Sequence, residues 1–380
     1  MEDYILIVDD IETNRILLKN ILSKTMPNLI FYEASTGVEA LQLIREEKMS
    51  VVILDIMMPD MDGIEVLQEL EASEVTSRIP IIMYTSVDEI NTVEKALDLG
   101  ALDYFTKPLT KEQIKITLPL KIKNALKFHK QNKKLLEFQH HIEDELKLAE
   151  KLQRAIVEES GNYDLCQMWG RYIPCESIGG DIFSCQEHDG KVWFIIADVT
   201  GHGIAAAMVS TMLKTLFYSS IQLRETPDQV LQTLNSLIVQ TISSYSTMLI
   251  SAFVGCIDEG SLSYSNAGHH YPIKYSAETN TVEELMMNGL LLGIFEHDDY
   301  QTATVPFHSG DTITLFTDGL FSMSPHTKNE LRQVQLFLSE NAISFYHDIP
   351  DLLTKLEQHF YNRTETGFED DVAIMTIKRK

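Results

Sequence analysis

Residues 193–203 read W-F-I-I-A-D-V-T-G-H-G, and the architecture of the C-terminal half turns on them. Residues 192–196 are apolar and rich in β-branched and aromatic side chains, the mark of a short buried strand. The strand runs into Asp198, Gly201 and Gly203 follow in a turn, and residues 204–217 read as an apolar helix. A carboxylate at the end of a buried strand, beside glycines that let backbone approach a ligand, suits a hard cation. A plain Asp-Gly turn accounts for the same residues equally well, so the choice rests on the rest of the chain.

Three further acid-glycine or paired-acid segments lie in the same half. Ile178-Gly179-Gly180-Asp181 precedes a strand-like stretch at 182–187, and Thr317-Asp318-Gly319 follows another at 312–316. Glu369-Asp370-Asp371 leads into a last strand at 372–377. Between them lie helical segments 205–218 and 227–242 and strands 248–257 and 261–265. Strands dominate both ends and helices are grouped, so residues 159–380 are expected to form an α+β domain with antiparallel sheets packed between helices. No His/Cys cluster with zinc spacing is present. Oxygen donors alone favour Mg2+ or Mn2+. Carboxylates from four strand ends can hold two such ions roughly 3.5–4 Å apart, an arrangement that generates a nucleophilic hydroxide.

The order G-G-D, D-V-T-G-H-G, T-D-G, D-D resembles the metal-dependent Ser/Thr phosphatases of the protein phosphatase 2C type. Asn266-Ala-Gly-His-His-Tyr-Pro272 and Gly289-Leu-Leu-Leu-Gly293 are similar to the bacterial branch that controls sporulation and general stress, over residues 155–380. The resemblance implies that Asp198 bridges two metal ions and that the Val199 carbonyl binds one. Asp181, Asp318 and Asp370 complete the shells; Gly180 borders the site and Asp371 is the alternative member of its pair. His202 is implied as either a general acid or a structural turn residue, and His269 and His270 as loop structure. The animal enzymes place a phosphate-binding Arg five residues before the first Asp; this chain has Glu176 there. Phosphate binding must then rest on the metals and backbone donors.

Residues 1–110 show a different pattern. Apolar runs at 4–8, 51–54, 79–84 and 101–105 end at Asp9-Asp10, Asp55, Thr85-Ser86 and Lys107-Pro108. Helical segments 12–22, 37–47, 63–72 and 88–99 alternate with them. The alternation predicts an α/β doubly wound parallel sheet, in which ligands bind outside the carboxyl ends of the strands. Asp9, Asp10, Asp55, Thr85 and Lys107 all arrive at that edge. The combination V-D-D, L-D-I-M-M-P-D-M-D-G and D-Y-F-T-K-P resembles the receiver domains of bacterial response regulators, a flavodoxin-like fold. That resemblance implies Asp55 as phosphoacceptor, with Mg2+ on Asp10, Asp55 and the carbonyl of Met57, supported by Asp9. Thr85 would bond the new phosphoryl group, Tyr104 would swing inward behind it, and Lys107, aimed by a cis Lys107-Pro108 bond, would offset the charge.

Between these halves, Thr110-x-x-Gln113 reads as a helix capping box, and Pro119 is expected to kink or break the helix it starts. Residues 121–157 lack Gly and Pro and read as a long helix. Phe128, Leu135, Ile142, Ala149 and Ile156 recur every seven residues; Phe138 and Leu152 join the seam, while Gln131 and Glu145 interrupt it. The pattern fits an imperfect coiled coil that pairs two copies, or a solvated helical spacer, or a helix packed on its own domains. The expected division is a receiver at 1–120, a helical coiled-coil linker at 121–158 and a phosphatase domain at 159–380.

The chain has 380 residues, with 31 Lys+Arg against 56 Asp+Glu. Residues 1–110 carry 8 basic and 21 acidic side chains, 111–160 carry 11 and 8, and 161–380 carry 12 and 27. Neither terminal part has the basic footprint of a nucleic-acid binder, so a DNA-binding output is not expected. Four cysteines without CxxC spacing, no signal peptide and no apolar run near ~18 residues lead to the expectation of a cytoplasmic protein off the membrane. The sequence therefore predicts a response regulator phosphorylated by a sensor histidine kinase. Its output would be a Mn2+- or Mg2+-dependent phosphatase acting on a phosphoprotein, an anti-sigma factor antagonist. The alternative is a phosphorylation-gated adaptor whose phosphatase fold does not catalyse.

Overall fold

The computed structural model describes residues 3–46, 49–73, 75, 78–86, 90–241, 248–296, 299–320, 334, 336–338, 340, 348–361, 368 and 370–380. The chain folds as two units, Met1–Glu143 and Asp144–Lys380.

In the first unit, parallel strands β1 (Asp3–Val8), β2 (Leu29–Ala34), β3 (Val51–Asp55), β4 (Ile81–Ser86) and β5 (Asp103–Lys107) stand in the order β2-β1-β3-β4-β5. Helices α1 (Glu12–Thr25), α2 (Gly37–Glu46), α3 (Gly63–Ala72) and α4 (Ile90–Asp98) connect them. Successive side chains on a strand point to opposite faces. Leu6, Val8 and Leu54 therefore pack with Ala40, Leu41 and Leu67, while Ile5, Ile7 and Ile53 pack with Leu18 and Leu22 on the other face. Both faces are covered, which is why these strands read as unbroken apolar runs. Sequence reasoning missed β2. It is an edge strand in which only Ala34 is buried, and its short apolar run, Leu29-Ile30-Phe31-Tyr32, is followed by Glu33-Ala34 rather than by the Asp, Thr or Lys that marks the others. Residues 88 and 89 of the expected fourth helix lie outside the described residues.

The capping box is present: Thr110 N donates to Gln113 Oε1 at 2.8 Å and Gln113 N to Thr110 Oγ1 at 3.2 Å. A π-helical turn, Gln113–Thr117, follows, and then α5 runs unbroken from Leu118 to Ile156 over 39 residues. Of the expected kink or break, there is no break at Pro119. The helix is continuous from Lys111, and the π turn Gln113–Thr117 just before Pro119 is where it departs from α geometry to accommodate the ring and the missing N–H. Leu118, Ile122, Ala125 and Leu126 pack into the first unit, but Leu135, Phe138 and Ile142 are 56%, 60% and 42% exposed. These mid-helix seam residues belong to none of the buried apolar clusters among the described residues.

The second unit is a four-layer sandwich. One sheet holds β8 (Ile182–His188), β9 (Lys191–Val199), β10 (Ile250–Ile257), β11 (Ser261–Ala267) and β14 (Ala303–Pro306), in the order β14-β11-β10-β9-β8. The other holds β6 (Ser160–Asn162), β7 (Cys166–Ile173), β12 (Ile273–Ser276), β13 (Thr281–Glu284), β15 (Thr312–Phe316) and β16 (Val372–Arg379), in the order β13-β12-β15-β16-β7-β6. Every strand pairing in both is antiparallel. The sheets share a core of Phe183, Phe194, Phe253, Met168, Leu315 and Met375. Each fully buried Phe there contributes on the order of 1.5–3 kcal/mol. Helices α6 (Ile204–Ile221) and α7 (Pro227–Thr241) cover the outer face of the first sheet. Helix α8 (Ile349–Tyr361) covers the second. Ile242 of the expected second helix lies outside the described residues.

Helix α6 is long and apolar enough, by length and composition alone, to cross a membrane, although Ser210, Thr211, Lys214 and Thr215 interrupt its apolar residues. Its Leu213, Phe217 and Ile221 pack against Ile195, Val254 and the α7 residues Val230 and Leu234. A helix packed between a sheet and a second helix needs a broader apolar stripe than one that meets a single partner.

Candidate active sites of the two units

In the first unit, strands β1, β3 and β5 end at one edge and deliver Asp9, Asp55 and Lys107 there. Lys107 Nζ lies 2.9 Å from Asp9 Oδ2 and 2.7 Å from Asp55 Oδ2. Asp9 and Asp55 are 0% and 3% exposed, while Asp10 is exposed. Carboxylate oxygens of all three lie within 4.8 Å of one another, an all-oxygen set that fits a divalent cation. Asp9 is held by the Ile11 amide at 2.9 Å and by the Asn14 side chain at 3.0 Å. Burial pushes Asp55 up to about 6, and its bonds to Lys107 and the Met57 amide offset this only in part. Burial works against the Lys107 ammonium, but the bonds to Asp55 and Asp9 outweigh it and hold its pKa above the usual lysine range. The ammonium also sits 4.5 Å over the Tyr84 ring. Lys107-Pro108 is cis, as expected. Thr85 is fully buried with its hydroxyl donating to Ser86 O at 3.2 Å, and Tyr104 points outward, 36% exposed, with Lys121 Nζ 5.2 Å over its ring. Met57 is exposed at 63%.

In the second unit the four acid segments meet at one end of the sandwich. Asp181 immediately precedes β8 and Asp198 sits near the end of β9, where Ile182 pairs with Ala197. Asp318 follows β15 and Asp370 precedes β16, its partner strand. Thr317 Oγ1 donates to Asp181 Oδ2 at 2.5 Å and so ties the two sheets together at the site. Burial, and next the charge of Asp198, push Asp181 well above the carboxylate range. Burial, and next Asp318 and Asp370, push Asp198 up in turn. Asp318 is also raised by burial, with His270 opposing and Asp370 adding to the shift. Carboxylates that repel one another need protons or cations, and the oxygen donors of these four suit Mg2+ or Mn2+. Among the described residues of this unit, the group whose donor atoms lie within 4.8 Å of one another is Cys175, Asp370 and Asp371.

Glycine is required at two points of this site. A Cβ on Gly180 would stand 2.8 Å from the Val199 carbonyl oxygen, and one on Gly319 would stand 2.0 Å from Asp371 O. The acid loops could not close with side chains there.

The paired acids differ in surroundings. Asp371 is 3% exposed, and its two oxygens accept the amides of Cys175 at 2.9 Å and Gly180 at 2.6 Å. Asp370 accepts the Asp371 amide at 2.8 Å, and its charge acts on Asp198 and Asp318. Glu369 lies outside the described residues. His202 pairs with Glu176, Nδ1 3.0 Å from Oε1, both side chains more than half exposed. His269 is buried and bonded to Ser251 Oγ at 2.7 Å, and Asn266 ties its backbone at 2.8 and 2.9 Å. His270 stacks on Phe316 and acts electrostatically on Asp318, a proximity the sequence did not signal. The role of the Thr317 hydroxyl was equally invisible, since its partners Asp181 and Ala373 are far away in the chain.

Fold and sites together define a receiver joined to a protein phosphatase 2C-type domain, a class that depends on divalent metal. The chain belongs to the stage II sporulation protein E (SpoIIE) family, whose model matches residues 188–380, and residues 5–118 match the response regulator receiver domain. It is similar to the phosphoserine phosphatase RsbU of Bacillus subtilis (strain 168), 28% identical over 265 residues, covering 66% of this chain and 75% of that protein. Its first unit is similar to sporulation initiation phosphotransferase F of the same organism, 34% identical over 125 residues, covering 32% of this chain and 98% of that protein. Among solved structures, the SiaA-PP2C domain of Pseudomonas aeruginosa matches with a TM-score of 0.54 at 19% identity, over 63% of this chain and 98% of that one. This last likeness concerns the fold alone.

Proposed function

We propose that the chain is a response regulator whose output is hydrolysis of phosphoserine or phosphothreonine on a protein, controlled by phosphorylation at Asp55. The observation that carries this reading is the meeting of Asp181, Asp198, Asp318 and Asp370, from four strand ends of two sheets. Asp198, with the Val199 carbonyl, and Asp181, Asp318 and Asp370 would hold two Mn2+ or Mg2+ ions. When bound, such ions neutralise phosphate charge and lower the pKa of an attacking water. The chain's own residues do the rest. Thr317 orients Asp181, Asp371 holds the loop at 175–180, and Glu176, at the position of the animal enzymes' arginine, repels free phosphate esters. That bias suits a protein substrate, which binds through more than its phosphate. An anti-sigma factor antagonist, the substrate class of the similar bacterial branch, fits it.

In the receiver, Mg2+ would sit on Asp9, Asp10, Asp55 and the Met57 carbonyl. Asp55 attacks the phosphoryl group of a sensor histidine kinase's phosphohistidine, an O–P bond forms as the N–P bond breaks, and Lys107 holds the added charge. Thr85 and Tyr104 are the switch residues that respond. We assign 1–120 to the receiver, 121–158 to the linker and 159–380 to the phosphatase. The exposed heptad seam of α5 supports a homodimer through this helix, and the free cysteines support a cytoplasmic setting.

The test is phosphate release from a phosphoserine protein with Mn2+, with and without a small phosphoryl donor. Asp198→Asn should lose orders of magnitude, because both ions lose a ligand. No release by the wild-type chain with Mn2+ would favour the non-catalytic adaptor instead, and undiminished release in excess chelator would overturn the metal-dependent chemistry.

A further inference from the structure

We propose that Gln153, in the last turn of α5, is a positioning residue of the phosphatase site that fixes the Gly179 peptide and, through it, the presentation of Asp181 to metal. The inference rests on the phosphatase reading above. Gln153 is 7% exposed. Its Nε2 donates to Gly179 O at 2.7 Å, and its Oε1 accepts Gly179 N at 3.2 Å and the Tyr172 hydroxyl at 3.2 Å. Both polar ends of one carboxamide are thus spent on both polar groups of one residue. Only a primary amide of this length can do that. Glutamate has no donor, and methionine has neither group.

The clamp adjoins the acid directly. Gly179 is held by Gln153, the Gly180 amide by Asp371 at 2.6 Å, and the Asp181 carboxylate by Thr317 at 2.5 Å. Three side chains far apart in the chain therefore hold three consecutive residues. A second bond anchors the turn that carries Gln153. Lys214 of α6, 7% exposed, donates from Nζ to Ile156 O, and it lies 5.3 Å over the Tyr218 ring. An ammonium at a helix C-terminus is favoured by the helix dipole. Helix α6 starts at Ile204, just after the segment with Asp198 and Val199. The end of α5 is thus bonded to the segment that leads into Asp181 and to the helix that follows the Asp198–Val199 segment. Buried amide and ammonium groups are costly unless paired, and here each is spent on the backbone beside an acid loop or on the turn that reaches it.

The full-length chain tests this with Gln153→Met, Gln153→Glu and Tyr172→Phe. Mn2+ affinity is measured by calorimetry, the metal-free melting temperature in chelator, and kcat and KM on a phosphoserine protein. Gln153→Met should weaken Mn2+ binding roughly 10- to 100-fold, as loss of a residue supporting a ligand does, with KM changed little. Excess Mn2+ should recover part of kcat. Gln153→Glu should lose affinity as well, since its carboxylate meets the Gly179 carbonyl, and Tyr172→Phe should lose least. Wild-type Mn2+ affinity in Gln153→Met overturns the proposal, whatever its melting temperature. If that variant does not fold, wild-type affinity in both Gln153→Glu and Tyr172→Phe overturns it instead. A wild-type chain that neither binds Mn2+ nor releases phosphate sinks the phosphatase reading and this proposal together. Intact wild-type activity with unaffected variants sinks this proposal alone.

Discussion

The Thr317 hydroxyl donates to the Asp181 carboxylate across the junction of the two sheets, at 2.5 Å, and the same oxygen accepts the Ala373 amide at 2.8 Å. All three groups are buried, so the hydroxyl has no water to replace its partners. Thr317→Val keeps the shape and removes the bonds. It should cost about 1–3 kcal/mol, the usual penalty for buried polar groups left unpaired. Thr317→Ser should retain most of the stability. Thermal unfolding in chelator reads the effect, and equal melting temperatures for the valine and serine variants would argue against this role.

The buried Asp55 carboxyl makes the metal-free receiver sensitive to pH. Its folded pKa, raised to about 6 by burial, lies above its ordinary value. A raised folded pKa stabilises the protein below the unfolded pKa, and that contribution is lost as pH rises through the folded one. Between about pH 4 and pH 6 the loss should reach roughly 3 kcal/mol. Asp55→Asn has no such titration. The stability difference between wild type and Asp55→Asn in chelator should therefore shift in favour of the variant across that window. A difference independent of pH would count against the assignment, and added Mg2+ should reduce the shift.

Glu176 and His202 form an exposed pair beside the acid loops, 3.0 Å apart. The Glu176 carboxylate should repel a small dianionic ester. Glu176→Gln should lower KM for p-nitrophenyl phosphate by roughly threefold, with little change in kcat and a smaller effect at high salt. An unchanged KM at low salt would show that this carboxylate does not face the incoming phosphate.

Leu135 and Ile142 stand one heptad apart and exposed on α5. Replacing both with Glu puts like charges into the seam of a paired helix and should convert a dimer into a monomer by light scattering. It should also uncouple phosphatase rate from the phosphoryl donor, with metal-dependent basal hydrolysis retained. A wild-type chain that is monomeric at all working concentrations yet still donor-regulated would rule out the paired helix.

Much of the receiver is visible in its amino-acid sequence. A parallel sheet covered on both faces makes each central strand a continuous apolar run, and all strands end at one edge. Asp9, Asp55, Thr85 and Lys107 could therefore be grouped without coordinates. The edge strand β2 escaped because its apolar run, Leu29-Ile30-Phe31-Tyr32, is short, only partly buried, and stops at Glu33 rather than at an Asp, Thr or Lys. The acids of the second unit were also readable, because each stands where an apolar strand stops. Their mutual arrangement was not. In an antiparallel sandwich, neighbours come from strands far apart in the chain. Only the folded structure joins Asp181 to Thr317, commits Asp371 to the amides of Cys175 and Gly180, and sets Gln153 on Gly179. Those bonds link groups tens to hundreds of residues apart. Periodicity reports which face of an element is buried, whereas which buried polar groups meet depends on how the sheets and helices pack.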